Sequence, residues 1–330
     1  MKQVLYSVPE VVKMISAGKN LILAGESNLL RQLPSGNWIG GSIPYFMLES
    51  GGGVNREQIY VTELPDYITG CTIKTYTVSD IANIYKDPET NGFSVVIIPA
   101  SSNTHTDFAL NAPGYDMFAT RPLIGWISGV HLEDLSIAKP VVFCGLDPQP
   151  LNNTAVVMHV GLPETKYATV QIVNIFSQGN GDEIVFPSKG FSANEAFING
   201  KRCNFADYLR ENNIDTRMPL VANYCGAKIN TSFLGIDSAT KTVNFYAPVF
   251  QGPVYKLANP ITDYVGCFNQ QLPKEDADSI FFSCNCILNY LYSELEGKPT
   301  GGITGPITFG EIGYQLLNQT MVYLTISDLK

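Results

Sequence analysis

Three residues of this 330-residue chain have a type and position suited to chemistry: Ser42, His105 and Cys284. Each follows or ends a segment whose β-branched and apolar residues predict a strand. Ser42 ends the stretch Trp-Ile-Gly-Gly-Ser, in which Trp38 and Gly41 are further candidate contacts. In α/β sheets, ligands bind in the crevice beyond the carboxyl ends of the strands. These positions therefore predict contacts to a ligand or a substrate.

An enzyme is one interpretation of these residues. Ser42 or Cys284 would be the nucleophile of a hydrolase or thiol-dependent transferase, with His105 or His131 as the base. The chain has no Gly-x-Ser-x-Gly elbow, and a Gly-Gly-Ser sequence is also typical of a tight exit from a strand. The thiol of Cys284, in a lone Cys-x-Cys, is either activated at a helix N-terminus or packed inertly in the core.

No metal or cofactor is predicted, because the sequence has neither His-x-x-x-His nor paired Cys-x-x-Cys spacing. The net charge of −9 and the lack of a Lys/Arg cluster argue against nucleic acid and against an acidic membrane surface as partners. No apolar run approaches the roughly 20 residues that span a bilayer. The N-terminus lacks the apolar core of a signal peptide. We therefore expect a cytoplasmic protein whose seven cysteines are free thiols.

Apolar strands alternate with helical segments in the first half, which predicts the α/β class (mixed α+β). We expect two tandem layered α/β domains, with mixed, largely buried β-sheets flanked by helices. The turn cluster at 178–182 places the boundary, giving domains 1–180 and 181–330. Segments 154–161 and 168–176, joined by a short proline-containing link, are predicted to form a hairpin or neighbouring strands.

The second half predicts a helix at Phe205–Glu211, then a β-meander, then a strand ending at Ser283 and a helix over 285–296. Residues 303–312 and 320–326 are predicted as its last strands. In the first half, 111–134 has the composition of a long ordered loop, which is usually functional. It would line a pocket or form a partner surface, and Trp126 within it suits a pocket or a core position equally.

The C-terminal residues resemble the C-terminal domain of FIST proteins. A strand ending in Ser283-Cys284 leads into a helix, and the segments Thr308-Phe309-Gly310-Glu311-Ile312 and Asn318-Gln319-Thr320-Met321 follow in the family's order. The resemblance extends over residues 191–326. The first half is similar to a diverged FIST N-terminal domain, in which Gly41 replaces the cysteine of the family's Gly-Cys-Ser loop.

The resemblance implies an intracellular sensory protein that binds a small molecule, such as an amino acid or related metabolite, between or within its domains. It also implies action through a signalling partner or a homo-oligomer, and a protein–protein adaptor is a further alternative. The predicted ligand contacts are Trp38, Gly41, Ser42, His105, Cys284, Phe309, Gly310 and Glu311. Glu311 would present a carboxylate to an amine, with Gly310 allowing close backbone approach and Phe309 as an apolar wall. Alternatively, Glu311 caps backbone N–H groups at a bulge or turn.

Overall fold

The computed structural model describes residues 3–88, 91–224, 226–272 and 279–329. Its helices are short and lie between many strands: α1 Val8–Ser16, α2 Ser27–Leu30, α3 Asn103–Asn111, α4 Phe205–Glu211, α5 Tyr264–Gln271 and α6 Ile287–Tyr292. Local chemistry accounts for the start of α1. In α1, Ser7 and Glu10 form a reciprocal capping box that satisfies N–H groups left unpaired by the first turn.

The strands before residue 180 are β1 Leu5–Tyr6, β2 Leu21–Gly25, β3 Trp38–Ser42, β4 Tyr45–Leu48, β5 Gly51–Val54, β6 Ile59–Glu63, β7 Gly70–Tyr76, β8 Gly92–Pro99, β9 Leu123–Ser128, β10 Val142–Cys144, β11 Asp147–Leu151, β12 Ala155–Gly161 and β13 Lys166–Val173. β3, β12 and β13 lie within a few residues of the segments that the sequence predicts as strands.

The strands after residue 180 are β14 Ile184–Val185, β15 Gly190–Ala193, β16 Glu195–Ile198, β17 Lys201–Asn204, β18 Leu220–Tyr224, β19 Ala227–Thr231, β20 Phe233–Asp237, β21 Thr242–Val249, β22 Tyr255–Leu257, β23 Ile280–Cys286, β24 Gly305–Thr308, β25 Glu311–Gly313, β26 Gln315–Leu317 and β27 Met321–Asp328. The chain is of the mixed α/β class, as the alternation of segments predicted.

The strands form five sheets. Sheet I has the order β1-β6-β2-β3-β10-β11, sheet II β26-β25-β9-β8-β12-β7 and sheet III β13-β27-β23-β24-β4-β5. Sheet IV has the order β17-β16-β14-β22-β18-β19, and sheet V is β15-β21-β20. Most neighbours are antiparallel, while β2 and β3, β8 and β9, and β23 and β24 run parallel.

Sheet II is covered on both faces, and its strand β8 shows why. Val95 and Ile97 pack in the largest hydrophobic core, whereas Val96 and Ile98 pack on the opposite face with Phe108 of α3. Side chains alternate between the faces of a strand, so a continuous apolar run supplies two cores at once. The continuous apolar run at 93–98 is therefore the sequence pattern of a strand that is buried on both faces.

The sheets do not divide at residue 180. Sheets II and III combine strands from both sides of that position, whereas sheets IV and V are built only from residues 184–257. We call residues 184–257 the inserted unit, which has its own aromatic core around Phe186 and Phe205. The remaining described residues form the framework. The chain leaves the framework near the predicted boundary and returns to complete it.

The predicted hairpin of segments 154–161 and 168–176 is wrong. β12 pairs with β7 and β8 in sheet II, whereas β13 pairs along its whole length with β27. Both segments are good strands by composition, but the final strand of the chain competes for the edge of β13. Pairing between segments so far apart in sequence leaves no local signal.

Three further predictions need correction. Residues 123–128 of the supposed loop form the fully buried strand β9. The helix predicted over 285–296 shortens to Ile287–Tyr292, and the strand predicted over 303–312 is interrupted at Phe309 and Gly310. Gly310 has φ +151°, a conformation that glycine adopts readily. The start of the strand predicted to end at Ser283 lies outside the described residues. Within the described ranges, no helix has the length and apolar character needed to cross a bilayer.

Candidate functional site

Strand β9 gathers most of the predicted site residues. Glu311 pairs directly with Trp126 of β9. The two residues before Glu311 continue this pairing through Ile127. The Gly310 carbonyl accepts from Ile127 N at 2.8 Å, and Phe309 N donates to Ile127 O at 3.1 Å. Cys284 donates its thiol proton to Gly125 O at 3.2 Å. We call the six residues Gly41, Ser42, Cys284, Phe309, Gly310 and Glu311 the β9 cluster.

Ser42 is held by the chain that leaves β9. Its Oγ donates to Gly129 O at 2.8 Å and accepts from Val141 N at 2.9 Å. Its carbonyl accepts from Gly129 N at 2.7 Å. The ring of Phe309 covers Gly129 so closely that an added Cβ would lie 2.4 Å from it. Ser42, 2% exposed, therefore links β3 to the segment after β9 through hydrogen bonds to the main chain.

Gly41 is a glycine for reasons of space. A Cβ at this position would lie 2.6 Å from Cγ2 of Ile97 and 3.0 Å from Nε1 of Trp126. Sheets I and II thus touch through the bare backbone of β3 at this point. Close approach of this kind requires glycine, so the Gly-Gly-Ser sequence reflects packing between two sheets.

Glu311 lies at the centre of a buried polar network. Its Oε1 accepts from Thr320 N at 2.7 Å and from the Thr320 hydroxyl at 2.5 Å. The Thr320 carbonyl accepts from Asn289 Nδ2 at 3.1 Å and from Cys286 N at 3.2 Å. Asn289 also donates to Asn285 Oδ1 at 2.9 Å. Glu311 therefore ties the turn before β27 to the junction of β23 and α6, in the capping role that was the alternative to a ligand contact.

Burial dominates the acid–base behaviour of this network. Glu311 is 0% exposed, and burial raises the pKa of its carboxyl to about 8, although the hydrogen bonds from Thr320 oppose the rise. Its Oε2 has no hydrogen-bond partner among the described residues. Burial also raises the pKa of the Cys284 and Cys286 thiols well above the usual range, and the nearby Glu311 adds to the rise. Neither cysteine is activated by α6, because desolvation disfavours the thiolate.

Two predicted contacts lie away from the β9 cluster. Trp38 is fully buried in the separate core beneath α1 and donates its indole N–H to Pro34 O at 2.9 Å. His105 is on α3, across sheet II. Its Nδ1 accepts from Ser101 N at 3.3 Å and its ring packs edge-on against Phe191. Burial lowers the pKa of His105 to about 4. Ser42, His105 and Glu311 therefore do not share a cleft.

In the described part of the chain, no histidine is hydrogen-bonded to either candidate nucleophile. Ser42 and Cys284 form hydrogen bonds with main-chain groups instead. His131 stacks on Tyr45 with ring centroids 5.5 Å apart, and its Nδ1 accepts from Glu133 N at 3.4 Å. A nucleophile and its base must lie within hydrogen-bonding reach. Among the described residues, no group of three or more His, Cys, Asp or Glu is placed to hold a metal ion.

A cavity with a largely apolar lining lies elsewhere, between the framework and the inserted unit. This junction pocket has a volume of about 500 Å³. Its described lining residues carry no charge and include prolines and aromatic rings from both parts of the chain: Ala109, Pro113, Phe118, Tyr224, Ala227, Ile229, Asn230, Thr231, Ala247, Pro248, Phe250, Gln251, Pro253, Tyr255, Gln315 and Leu316. Pockets of this size and character are typical of small-molecule sites.

The polar groups on the floor of the junction pocket are engaged. Asn230 Nδ2 donates to Asn174 Oδ1 at 3.0 Å and to Asn318 O at 3.1 Å, while its Oδ1 accepts from Asn174 at 2.9 Å. The Thr231 hydroxyl donates to Pro248 O at 3.3 Å. The floor is therefore polar in composition but has little unused hydrogen-bonding capacity.

Sequence reasoning missed the junction pocket. One usable signal was the uncharged run from Tyr246 to Tyr255, which combines two prolines with three aromatic residues. The remaining walls come from α3, β19 and β26, which lie far apart in sequence. Pro113 and Phe118 confirm in part that the 111–134 segment lines a pocket, while Trp126, 0% exposed and stacked on Phe282, is a core residue.

A profile of the family of unknown function DUF6976 matches residues 6–327. The chain belongs to this family, since the match covers nearly its whole length. A comparison with curated proteins found no match. The family description specifies no activity or ligand, so the resemblance to FIST proteins remains a hypothesis.

Proposed function

We propose that this member of the family is a sensory protein that binds a small uncharged molecule in the junction pocket. The observation that carries the proposal is a cavity of about 500 Å³ with an uncharged, largely apolar and aromatic lining. Burying apolar ligand surface contributes about 25 cal/mol per Å². A charged ligand would lose its hydration in this pocket without gaining an ionic partner.

The position of the pocket supports a sensory role. Ala109, Pro113 and Phe118 come from the framework, while Tyr224 and Phe250 come from the inserted unit. A molecule in contact with both walls stabilises the conformation in which the distance between the framework and the inserted unit fits that molecule. Ligands shift conformational equilibria through such differences in affinity. The FIST resemblance points to the same kind of function.

The proposed ligand and its contacts differ from the amino acid and the contact residues that the sequence predicts. An amino acid is zwitterionic, and the described lining offers no charged side chain to either end. Glu311, the residue expected to hold an amine, is 0% exposed. We therefore favour a neutral, partly flat molecule over an amino acid, and place its contacts in the junction pocket.

Binding of prodan, a neutral naphthalene dye that becomes brighter in apolar surroundings, tests the proposal. We expect saturable binding to the wild-type protein. Ala227→Trp places a large ring at an exposed position of the lining and should weaken binding at least about tenfold, as expected for loss of over 1.4 kcal/mol. Ala239→Trp, also exposed but outside the pocket lining, is the matched control and should bind normally. Unchanged affinity in Ala227→Trp would exclude the junction pocket as the site.

A further inference from the structure

Asn-Gly pairs occur in the chain at positions 91–92, 180–181 and 199–200. An asparagine side chain is lost as ammonia when the backbone nitrogen of the next residue attacks its amide carbon. Glycine favours this attack, because it has no Cβ in the way and its backbone turns freely. The reaction therefore depends on how firmly each pair is held, and the structure holds the pairs very differently.

The pair Asn91 and Gly92 is fixed at the start of β8. Asn91 Nδ2 donates to Lys166 O at 2.6 Å and to Pro163 O at 3.1 Å. Gly92 is a buried residue of the strand, and an added Cβ would clash with Val160 O. The nitrogen of Gly92 cannot turn toward the side chain of Asn91 without disrupting the sheet.

The pair Asn199 and Gly200 forms the tight turn between β16 and β17, with φ values of +48° and +81°. Positive φ at both central residues is the type I′ hairpin turn that Asn-Gly prefers. The Asn199 side chain is held at both ends, because its Oδ1 accepts from Glu183 N at 3.0 Å and its Nδ2 donates to Asp182 Oδ1 at 2.7 Å. These hydrogen bonds must break before Asn199 can react.

The pair Asn180 and Gly181 has none of these restraints. Both residues are exposed in a bend outside the helices and strands, and an added Cβ at Gly181 would meet nothing within 4 Å. Among the described residues, the Asn180 side chain and Gly181 N form no hydrogen bond. The chain is anchored just before the pair, where Gly179 N donates to Leu257 O at 2.8 Å. The pair is therefore a short free link at the entrance to the inserted unit.

We propose that Asn180 is a site of covalent modification, at which an isoaspartate forms without a catalyst. The nitrogen of Gly181 bonds to Cγ of Asn180, the bond from Cγ to the side-chain nitrogen breaks, and that nitrogen takes up the proton of Gly181 N and leaves as ammonia. Water then opens the cyclic imide at one of its two carbonyl carbons. One opening gives aspartate at position 180, and the other gives isoaspartate, through whose side-chain carbon the main chain now runs.

The modification changes the connection between the framework and the inserted unit. The net reaction consumes one water, releases one ammonia and replaces a neutral amide with a carboxylate. The new charge lies directly before Asp182 and Glu183, and isoaspartate also lengthens the main chain between Gly179 and β14 by one carbon. The free carboxylate of isoaspartate is the group that protein isoaspartyl methyltransferases methylate, so the modified chain is a substrate for that class of enzyme.

Incubation of the folded protein at neutral pH and physiological temperature, followed by peptide mapping with mass spectrometry, measures conversion at each pair. We expect Asn180 to convert at least about tenfold faster than Asn91 or Asn199, equivalent to about 1.4 kcal/mol in activation free energy. Methylation of the incubated protein by an isoaspartyl methyltransferase should rise in parallel. Gly181→Ala should slow conversion at Asn180, because its added Cβ hinders the attack, whereas the control Gly114→Ala should not change it.

Incubation in concentrated urea separates the effect of the fold from the chemistry of the dipeptide. In the unfolded chain the restraints on the other pairs are lost, so all three should convert at similar rates. Similar rates at Asn180 and Asn199 in the folded protein would overturn the proposal. An Asn180 that stays intact in the folded protein while it converts in urea would overturn it as well.

Discussion

The β9 cluster and the junction pocket both contain polar groups, but they differ in exposure to solvent and in hydrogen bonding. Around β9, the carboxyl, thiol and amide groups are sealed from solvent and bonded largely to one another and to the main chain. In the junction pocket, the lining is uncharged and mostly apolar, and it is open to solvent. Residue types that suggest catalysis therefore hold sheets together here, while residues with little chemical reactivity form the cavity. Burial and hydrogen-bond partners, more than residue type, separate a structural group from a functional one.

Among the substitutions that test this difference, replacement of Glu311 is expected to have the largest effect on stability. In Glu311→Ala, Thr320 loses the acceptor of its N–H and hydroxyl groups, and a cavity is left in the core. We expect the free energy of unfolding to fall by about 3–5 kcal/mol, measured by urea denaturation. Glu164→Gln, at an exposed position, should stay within about 0.5 kcal/mol of wild type. A Glu311→Ala variant that stays stable but loses an affinity of the wild-type protein for an amine would instead make the β9 cluster a ligand site.

The pH dependence of stability provides the next test. The pKa of Glu311 is about 8 in the folded protein, against an ordinary value of 4.5, so the folded state holds this proton more tightly than the unfolded chain. The contribution of protonated Glu311 to the free energy of unfolding is fully present below pH 4.5 and is lost as pH rises toward 8. Its slope is about 1.4 kcal/mol per pH unit between these values. Urea denaturation from pH 6.5 to 8 should show wild type losing stability relative to Glu311→Gln.

The comparison with Glu311→Gln isolates this carboxyl from other titrating groups. His105 and His159 have pKa values lowered to about 4 by burial, so their contributions are lost as pH falls below 6.5. They are common to both proteins and cancel in the difference. A difference that does not change with pH would show that Glu311 is already ionised in the folded state at neutral pH.

Gly129 tests how tightly the β9 cluster is packed. Gly129→Ala places a Cβ 2.4 Å from the Phe309 ring and should cost about 1–3 kcal/mol of stability, as overpacking does. Combining it with Phe309→Leu should recover part of the loss, because the two positions are in contact. Gly114→Ala, where a Cβ would meet nothing within 4 Å, is the control. Thermal unfolding would show strict additivity if the contact is unimportant.

The smallest expected effect concerns the stability of the pocket variant. Ala227 lies at the rim of an open cavity, so Ala227→Trp should change the free energy of unfolding by about 0.5 kcal/mol or less. Ligand affinity should change instead. Urea denaturation of the same preparations used for prodan binding checks this. A large loss of stability would mean that this residue supports the fold as the β9 cluster does.

Local signals in the sequence predicted much of this architecture. The buried strand around Val95 follows from its continuous apolar run, and the helix Phe205–Glu211 lies where it was predicted. The hairpin prediction failed because β13 pairs with β27, about 150 residues away. The long-loop prediction failed because β9 is short and glycine-containing, and only its position between β8 and β25 makes it a central strand.

The candidate site could likewise be predicted only in part from the sequence. Residue type and position point to Ser42 and Cys284, and the resemblance to FIST proteins points to Glu311; all three lie around β9. Their role was not predictable, because the partners Gly129, Gly125 and Thr320 come from other segments. His105 is the opposite case, because it does not meet the other predicted residues. It follows the end of a strand, but it lies on the face of sheet II opposite to Glu311.

By itself, the sequence determined the mixed α/β class, the acidic character and the positions of most strands, because these depend on composition and on periodicity within short segments. The tertiary structure decided that Ser42, Cys284 and Glu311 are sealed and that Tyr224, Phe250 and Phe118 surround a cavity. Exposure and hydrogen-bond partners depend on how the segments are brought together: Ser42 bonds Gly129, 87 residues away, and Cys284 bonds Gly125, 159 residues away. For that reason the most reactive side chains of this protein became part of its core, and an uncharged stretch became part of its proposed binding site.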